Sequence, residues 1–137
     1  MKIVSACLAG INCRYDGKSK PCQDIINLVK QGKAIPVCPE QLGGLSTPRN
    51  IAEQKREKVF TKDGKDITAQ VIKGAEEALK IAKLANCTEA ILKSKSPSCG
   101  CGKIYDGTFS GKLIDGDGVF TKFLKKNNIK VVSEEEI

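Results

Sequence analysis

Four short runs of β-branched and apolar residues punctuate the chain: Lys2-Ile3-Val4-Ser5-Ala6, Ala34-Ile35-Pro36-Val37, Ala90-Ile91-Leu92 and Ile129-Lys130-Val131-Val132. Each has the length and composition of a buried strand. The segments between them carry apolar residues three and four positions apart instead. Pro21, at a first helical position, opens a helix through Ile25, Ile26, Leu28 and Val29 that Gly32 closes. Val71, Ala75, Ala78 and Ala82, with Ile72 and Leu79 alongside, make an apolar stripe on a longer helix over roughly 68–85. Gly74 inside that helix costs about 1 kcal/mol relative to Ala, so its presence implies close packing. Asp117 is placed to cap a third helix through Val119, Phe120, Phe123 and Leu124, ending near Asn128.

The remaining stretches are irregular. Residues 39–49 have neither period and are dense in turn formers, which reads as a functional loop. Val59 to Asp66 reads as a small hairpin with Asp63-Gly64 at its turn. Tyr105 to Leu113, around Gly107 and Gly111, reads as an irregular hairpin flap, and Glu134-Glu135-Glu136 as a frayed tail. Pro36 lacks a backbone donor, so its strand is expected at a sheet edge or to be weak there. Strands alternating with helices predict one α/β domain over 1–137, a mostly parallel sheet with helices on both faces (Rossmann-like). In such a sheet the site lies at the carboxyl ends of the strands. No apolar run approaches the roughly 20 residues of a membrane span, and the apolar start is too short for a signal peptide. The expected location is cytoplasmic.

Composition changes this picture in two ways. The chain has seven cysteines and no histidine. In a reducing compartment disulfides are disfavoured, so metal binding or catalysis becomes the leading use of the thiols. Without imidazole, a metal must be held by thiolates, with or without carboxylates, which suits iron–sulfur clusters or zinc. The net charge of +7 rests on 20 lysines against three arginines, which favours a phosphate-bearing substrate, with a solvated surface as the alternative. Six aromatic residues and no Trp exclude a dedicated single-strand binder built on stacking platforms.

Cys7, Cys38 and Cys99 each follow a predicted strand directly or within a short loop. The carboxyl ends of parallel strands share one edge, so these three thiols can meet there. Three ligands on a four-iron cluster would leave one iron open for catalysis. Cys13 and Cys101 lie in the same two loops and compete for the role. A four-thiolate zinc site of Cys7, Cys13, Cys99 and Cys101 is the main rival. Cys87 reads as a small core residue, and Cys22 as partly buried near a helix start. The loop Ser94 to Gly102 concentrates three serines, a proline, two glycines and two cysteines, and is the stretch around which the chain is organised. Glu40, two residues after Cys38, is a candidate general acid or base, or else a loop glutamate in a salt bridge. Ser98 offers a hydroxyl beside Cys99, or a turn hydrogen bond. Arg14 and Arg49 sit in the two Gly-rich loops as natural anion clamps, with Lys103 as a further cation. Asn12 and Ser96, in the thiol-bearing loops, complete the candidate substrate-binding set.

Three motifs carry a family resemblance: Val4-Ser5-Ala6-Cys7-Leu8-Ala9-Gly10 with Cys13-Arg14-Tyr15-Asp16-Gly17, then Pro36-Val37-Cys38-Pro39-Glu40 with Gly43-Gly44-Leu45 and Thr47-Pro48-Arg49, then Lys95-Ser96-Pro97-Ser98-Cys99-Gly100. In this order, over nearly the whole chain, they resemble the TudS-type thiouracil desulfidases and related short desulfidases acting on 4-thiouridine nucleotides and thiolated tRNA. The resemblance implies a [4Fe-4S] cluster with three cysteine ligands, Cys7, Cys38 and Cys99, and one open iron. It also implies Glu40 as acid/base and Ser98 as the catalytic hydroxyl, in a non-redox hydrolysis of C=S. The expected partner is a thiolated pyrimidine nucleotide or tRNA, with free thiouracil favoured less by the basic charge. The rivals are a cluster or sulfur carrier without hydrolysis and a Cys-zinc RNA-binding protein.

Overall fold

The computed structural model describes all 137 residues. Strands β1 (Lys2–Ser5), β2 (Ala34–Val37), β5 (Glu89–Leu92) and β8 (Lys130–Ser133) form one sheet in the order β2-β1-β5-β8. Every pairing in it is parallel. β2 is an edge strand, so Pro36, opposite Val4, leaves no ladder bond unmade on its outer side.

Alternation along the strands builds two cores. Ile3, Ala90, Leu92 and Val131 face α3 (Thr68–Leu84) and α4 (Val119–Lys126), with Val71, Ala75, Ala78, Phe120 and Leu124 filling the layer between. Val4, Ile91 and Ala34 point to the other side, where Ile25 of α1 (Gln23–Lys30) covers them. Helices therefore lie on both faces, as the pattern requires. The chain runs from β1 outward to β2, then crosses to β5 on the other side of β1. The carboxyl ends of β1 and β5 consequently flank a topological switch point.

Gly74 has the packing reason its position in α3 implied. A Cβ there would lie 1.8 Å from the Pro39 carbonyl oxygen, and one on Gly43 would lie 2.0 Å from that of Gln70. The backbone of α3 is in contact with α2 (Pro39–Leu42), a single helical turn. This turn corrects the reading of 39–49 as wholly irregular: Pro39 at a first helical position sets φ, and four residues are too few for a period to be seen.

The hairpin expected at 59–66 is also different. Its short return over Asp63-Gly64 is there, with the antiparallel bridge Phe60–Asp66 and the bonds from Thr61 N–H to the Lys65 carbonyl and Ile67 N–H to the Val59 carbonyl (both 2.9 Å). But strand β4 (Lys58–Thr61) makes its main pairing with β3 (Ala52–Lys55). The β3–β4 turn is Arg56-Glu57, both at positive φ (51° and 67°), so the usual Asn-Gly signal is absent. β6 (Lys103–Tyr105) and β7 (Leu113–Asp115) form the expected flap. Gly118, not Asp117, caps α4. The Asp117 carboxylate instead accepts from the Gly102 N–H (2.8 Å) and pairs with Lys125 (2.9 Å). The acidic tail is not frayed. Ser133 caps a 3₁₀ turn over Glu134–Glu136, and Glu134 accepts from the Ser94 N–H at 2.7 Å and pairs with Lys93 at 2.9 Å. No helix is long and apolar enough to cross a membrane.

Candidate active site

Each strand of the switch region delivers its chemistry at its carboxyl end. β1 runs into a 3₁₀ turn, Ala6–Ala9, that buries Cys7, and the following loop returns Cys13 beside it. β2 ends at Cys38, the N-cap of α2, which puts Glu40 in that helix's first turn. β5 leads into the loop 94–102. There the Ser96 hydroxyl accepts the N–H groups of Ser98 (3.1 Å) and Cys99 (2.8 Å), curling the chain so that Cys99 turns inward. The buried Gln54 amide holds the same loop from outside, donating to the Pro97 and Asp117 carbonyls at 2.8 and 3.0 Å.

A cavity of about 530 Å³ opens where these ends meet, and Cys7, Cys13, Cys38 and Cys99 all line it. The other three thiols are elsewhere. Cys87 is buried in the α3 core and Cys22 packs beside α1. Cys101 faces the Val131 carbonyl at 3.6 Å. That placement corrects the four-thiolate zinc grouping, since Cys101 has no access to the cavity.

Three of the cavity thiols, Cys13, Cys38 and Cys99, are pushed above the ordinary thiol range. Burial, above all, pushes Cys99 up to about 12. For Cys13, the hydrogen bond with Cys38 pulls downward, but its bond with Cys7 and burial outweigh this and bring it to about 11. The bond with Cys13, then burial, drive Cys38 up as well. Cys38 Sγ donates to the Cys13 carbonyl at 3.8 Å, and Cys7 and Cys99 line the same cavity. No three Cys, Asp or Glu side chains converge on a point as a single bound ion needs. A donor set of thiols alone around one cavity suits an iron–sulfur cluster, in which each thiolate binds a different iron.

Both oxygens of Glu40 are engaged. Oε1 accepts from Arg49 Nε at 3.0 Å, and Oε2 accepts from the Ser98 hydroxyl at 3.2 Å. Ser98 is 1 % exposed and stands behind Glu40, outside the cavity lining. Arg49 lines the cavity, but its guanidinium is bound to protein: Nη2 donates to the Cys13 carbonyl (2.9 Å), and Nη1 donates to the Ser46 carbonyl (3.1 Å) and the Thr47 hydroxyl (3.0 Å). It fastens Glu40 to the Cys13 loop, so the geometry gives it a positioning role where an anion clamp was expected. Arg14 is different. It lines the cavity over the Tyr15 ring, 5.5 Å from its centroid, and its buried Nη1 has no hydrogen-bond partner. Ser96 also lines the cavity. Asn12 is exposed and does not, and Lys103 pairs with Asp115 away from it. Lys93, Lys95, Glu53, Tyr105 and Phe109 line the cavity without having been singled out from the sequence. The only local signal was for the flap carrying Tyr105 and Phe109.

These observations describe an α/β protein with a thiol-lined cavity, bearing one held carboxylate, at the switch point of its sheet. The chain belongs to the 2-thiouracil desulfurase family, whose model matches residues 3–136. It is 45% identical over 147 residues to Uncharacterized protein YbbK of Bacillus subtilis (strain 168), covering 100% of this chain and 97% of that one. Its fold matches a solved structure of the [4Fe-4S]-dependent thiouracil desulfidase TudS with a TM-score of 0.94 and 44% identity, over 98% of this chain and 91% of the other.

Proposed function

We propose that this chain is an iron–sulfur-dependent thiouracil desulfidase that hydrolyses the C=S bond of a thiolated uracil. The observation that carries the reading is the meeting, in one cavity, of a thiol from each of three strand ends with a carboxylate held from both sides. Cys7, Cys38 and Cys99 are the ligands, one from each strand end, and a donor set of thiols alone fits a [4Fe-4S] cluster. Bound by three thiolates, such a cluster supplies an open iron, a Lewis acid toward the thiocarbonyl sulfur.

The rest is the work of side chains. Glu40 takes a proton from water as its oxygen bonds to the ring carbon. As the C–S bond breaks, Glu40 gives that proton to the departing sulfur, then takes the hydroxyl proton released as the carbonyl forms and passes it on to the sulfur, so water and thiocarbonyl become carbonyl and hydrogen sulfide. Arg49 keeps the carboxylate aimed, and Ser98 holds its other oxygen. Cys13, next to two of the ligands, is the one alternative ligand the cavity offers.

The substrate's non-reacting part is a nucleotide, free or in tRNA. Support comes from the unpartnered Arg14 Nη1 and from Lys20 and Lys62, which are on the cavity wall and in no ion pair. Such donors hold phosphate by charge-assisted hydrogen bonds.

Anaerobic reconstitution followed by assay tests this directly. Brown protein that releases uracil and sulfide from 2-thiouracil is expected, and Cys7→Ser, Cys38→Ser and Cys99→Ser each lose the colour while Cys22→Ser and Cys87→Ser keep it. A colourless preparation with stoichiometric zinc would sink the reading. Comparing 4-thio-UMP, 4-thiouridine tRNA and 2-thiouracil at low and high salt, with Arg14→Gln alongside, decides the substrate form.

A further inference from the structure

Glu53, in β3, is 5 % exposed and makes no ion pair. A buried carboxylate without a counter-charge is costly unless N–H donors satisfy it. The donors here come from the β6–β7 flap: Gly107 N–H at 3.0 Å and Phe109 N–H at 3.1 Å, both to Oε1. Phe109 has φ 57°, a backbone region that costs a bulky residue about 1–3 kcal/mol and persists only when its surroundings enforce it. The flap also sits directly on β3, since a Cβ on Gly107 would lie 2.7 Å from the Gln54 carbonyl oxygen. All of this constraint places the Phe109 ring on the cavity wall, the one apolar side chain of the flap's tip (residues 106–112), with Tyr105 of β6 on the same wall.

We propose that Phe109 is a specificity-determining residue that packs its ring against the flat pyrimidine of the substrate, and that Glu53 is the positioning residue that holds it there. The proposal rests on the desulfidase reading above for the identity of the ring. A thiolated pyrimidine is planar and nearly apolar on its faces, and stacking on an aromatic side chain recognises it without reading its edge. The ring edge, with its sulfur and oxygen, stays free for the thiol-lined side of the cavity.

Two measurements on the cluster-loaded protein test this: steady-state turnover of 2-thiouracil and calorimetric binding of uracil, the oxo product. Phe109→Ala is expected to raise KM and the uracil Kd about tenfold, with kcat, cluster absorbance and Tm little changed. Phe109→Tyr restores both constants. Glu53→Leu reproduces the binding loss without touching the ligand, and Glu53→Gln, which keeps a carbonyl acceptor for both N–H groups, recovers most of it. Gly107→Ala serves as a second displacement of the flap should Glu53→Leu fail to fold. Unchanged KM and uracil affinity in Phe109→Ala overturn the proposal while leaving the desulfidase reading intact. A wild-type protein that binds uracil through Phe109 but releases no sulfide overturns the desulfidase reading and leaves the wall standing, and a wild type that does neither overturns both.

Discussion

In the proposed mechanism Glu40 depends on the present partners of its two oxygens, because a carboxylate on the first turn of a four-residue helix has little else to fix it. Glu40→Gln is expected to lower kcat by about 10²–10⁴-fold with iron content unchanged, measured by turnover and by cluster absorbance on the same samples. Arg49→Gln should lose much of the same activity. Arg49→Lys should recover little, because a point charge cannot meet Glu40, the Cys13 carbonyl and the Ser46 carbonyl together as a planar fork does. The thiols give a pH prediction with a definite sign. In the ligand-free, reduced protein Cys13 and Cys99 titrate near 11 and 12, above the usual 9.0 of an unfolded thiol. Below about pH 9 both states hold these protons and the stabilisation is fully present. From about pH 9 to about 12 the unfolded chain ionises first and binds fewer protons, so stability falls as pH rises. Denaturation midpoints across that range should decline, and less steeply in Cys99→Ala. At this scale the cysteines and Glu40 were legible because they follow strands directly or within a short loop. The bond from Arg49 to Glu40 was not, because guanidinium geometry depends on how two loops close.

The element whose placement matters most is α2, which carries Glu40 and lies on the α3 backbone. Gly74→Ala should gain about 1 kcal/mol of helix propensity and lose more, since overpacking costs about 1–3 kcal/mol and the clash is with backbone at 1.8 Å. The expected result is a lower Tm and a kcat that falls further than KM changes, as α2 shifts off α3. A thermal melt and a kinetic split on one variant check it, and a raised Tm with normal kcat in Gly74→Ala would show that the contact is dispensable. Glycine at this position was an apparent defect in a helical stripe, and the pairing of α2 with α3 explains it. The β3–β4 hairpin illustrates the opposite case. Its turn residues, Arg56 and Glu57, are ordinary in composition, and only the pairing of β3 with β4 forces them to positive φ.

Across the whole molecule the carboxyl terminus closes back on the loop that bears Cys99. Glu134 binds the Ser94 N–H and Lys93, and Glu135 pairs with Lys95 at 3.5 Å. Removing residues 134–137 should raise hydrogen exchange at Ser94 and lower kcat several-fold, with a modest loss of global stability, because hydrogen bonds to charged groups contribute about 1.5–3 kcal/mol each. Unaltered exchange at Ser94 would show the loop to be held by Ser96 and Gln54 alone. The four parallel strands, the two-sided helical cover, the edge position of Pro36 and the strand-end site were all written in the linear order of residues, because burial at periods of 2 and 3.6 is a local property of the chain. Folding in three dimensions settled the rest: which thiols share the cavity, that Arg49 serves Glu40 while Arg14 keeps a free donor, that Glu53 bonds to the flap bearing Phe109, and that the acidic tail is a latch. Each of these contacts joins residues separated by crossovers or loop closures, and no local pattern encodes where a loop comes to rest.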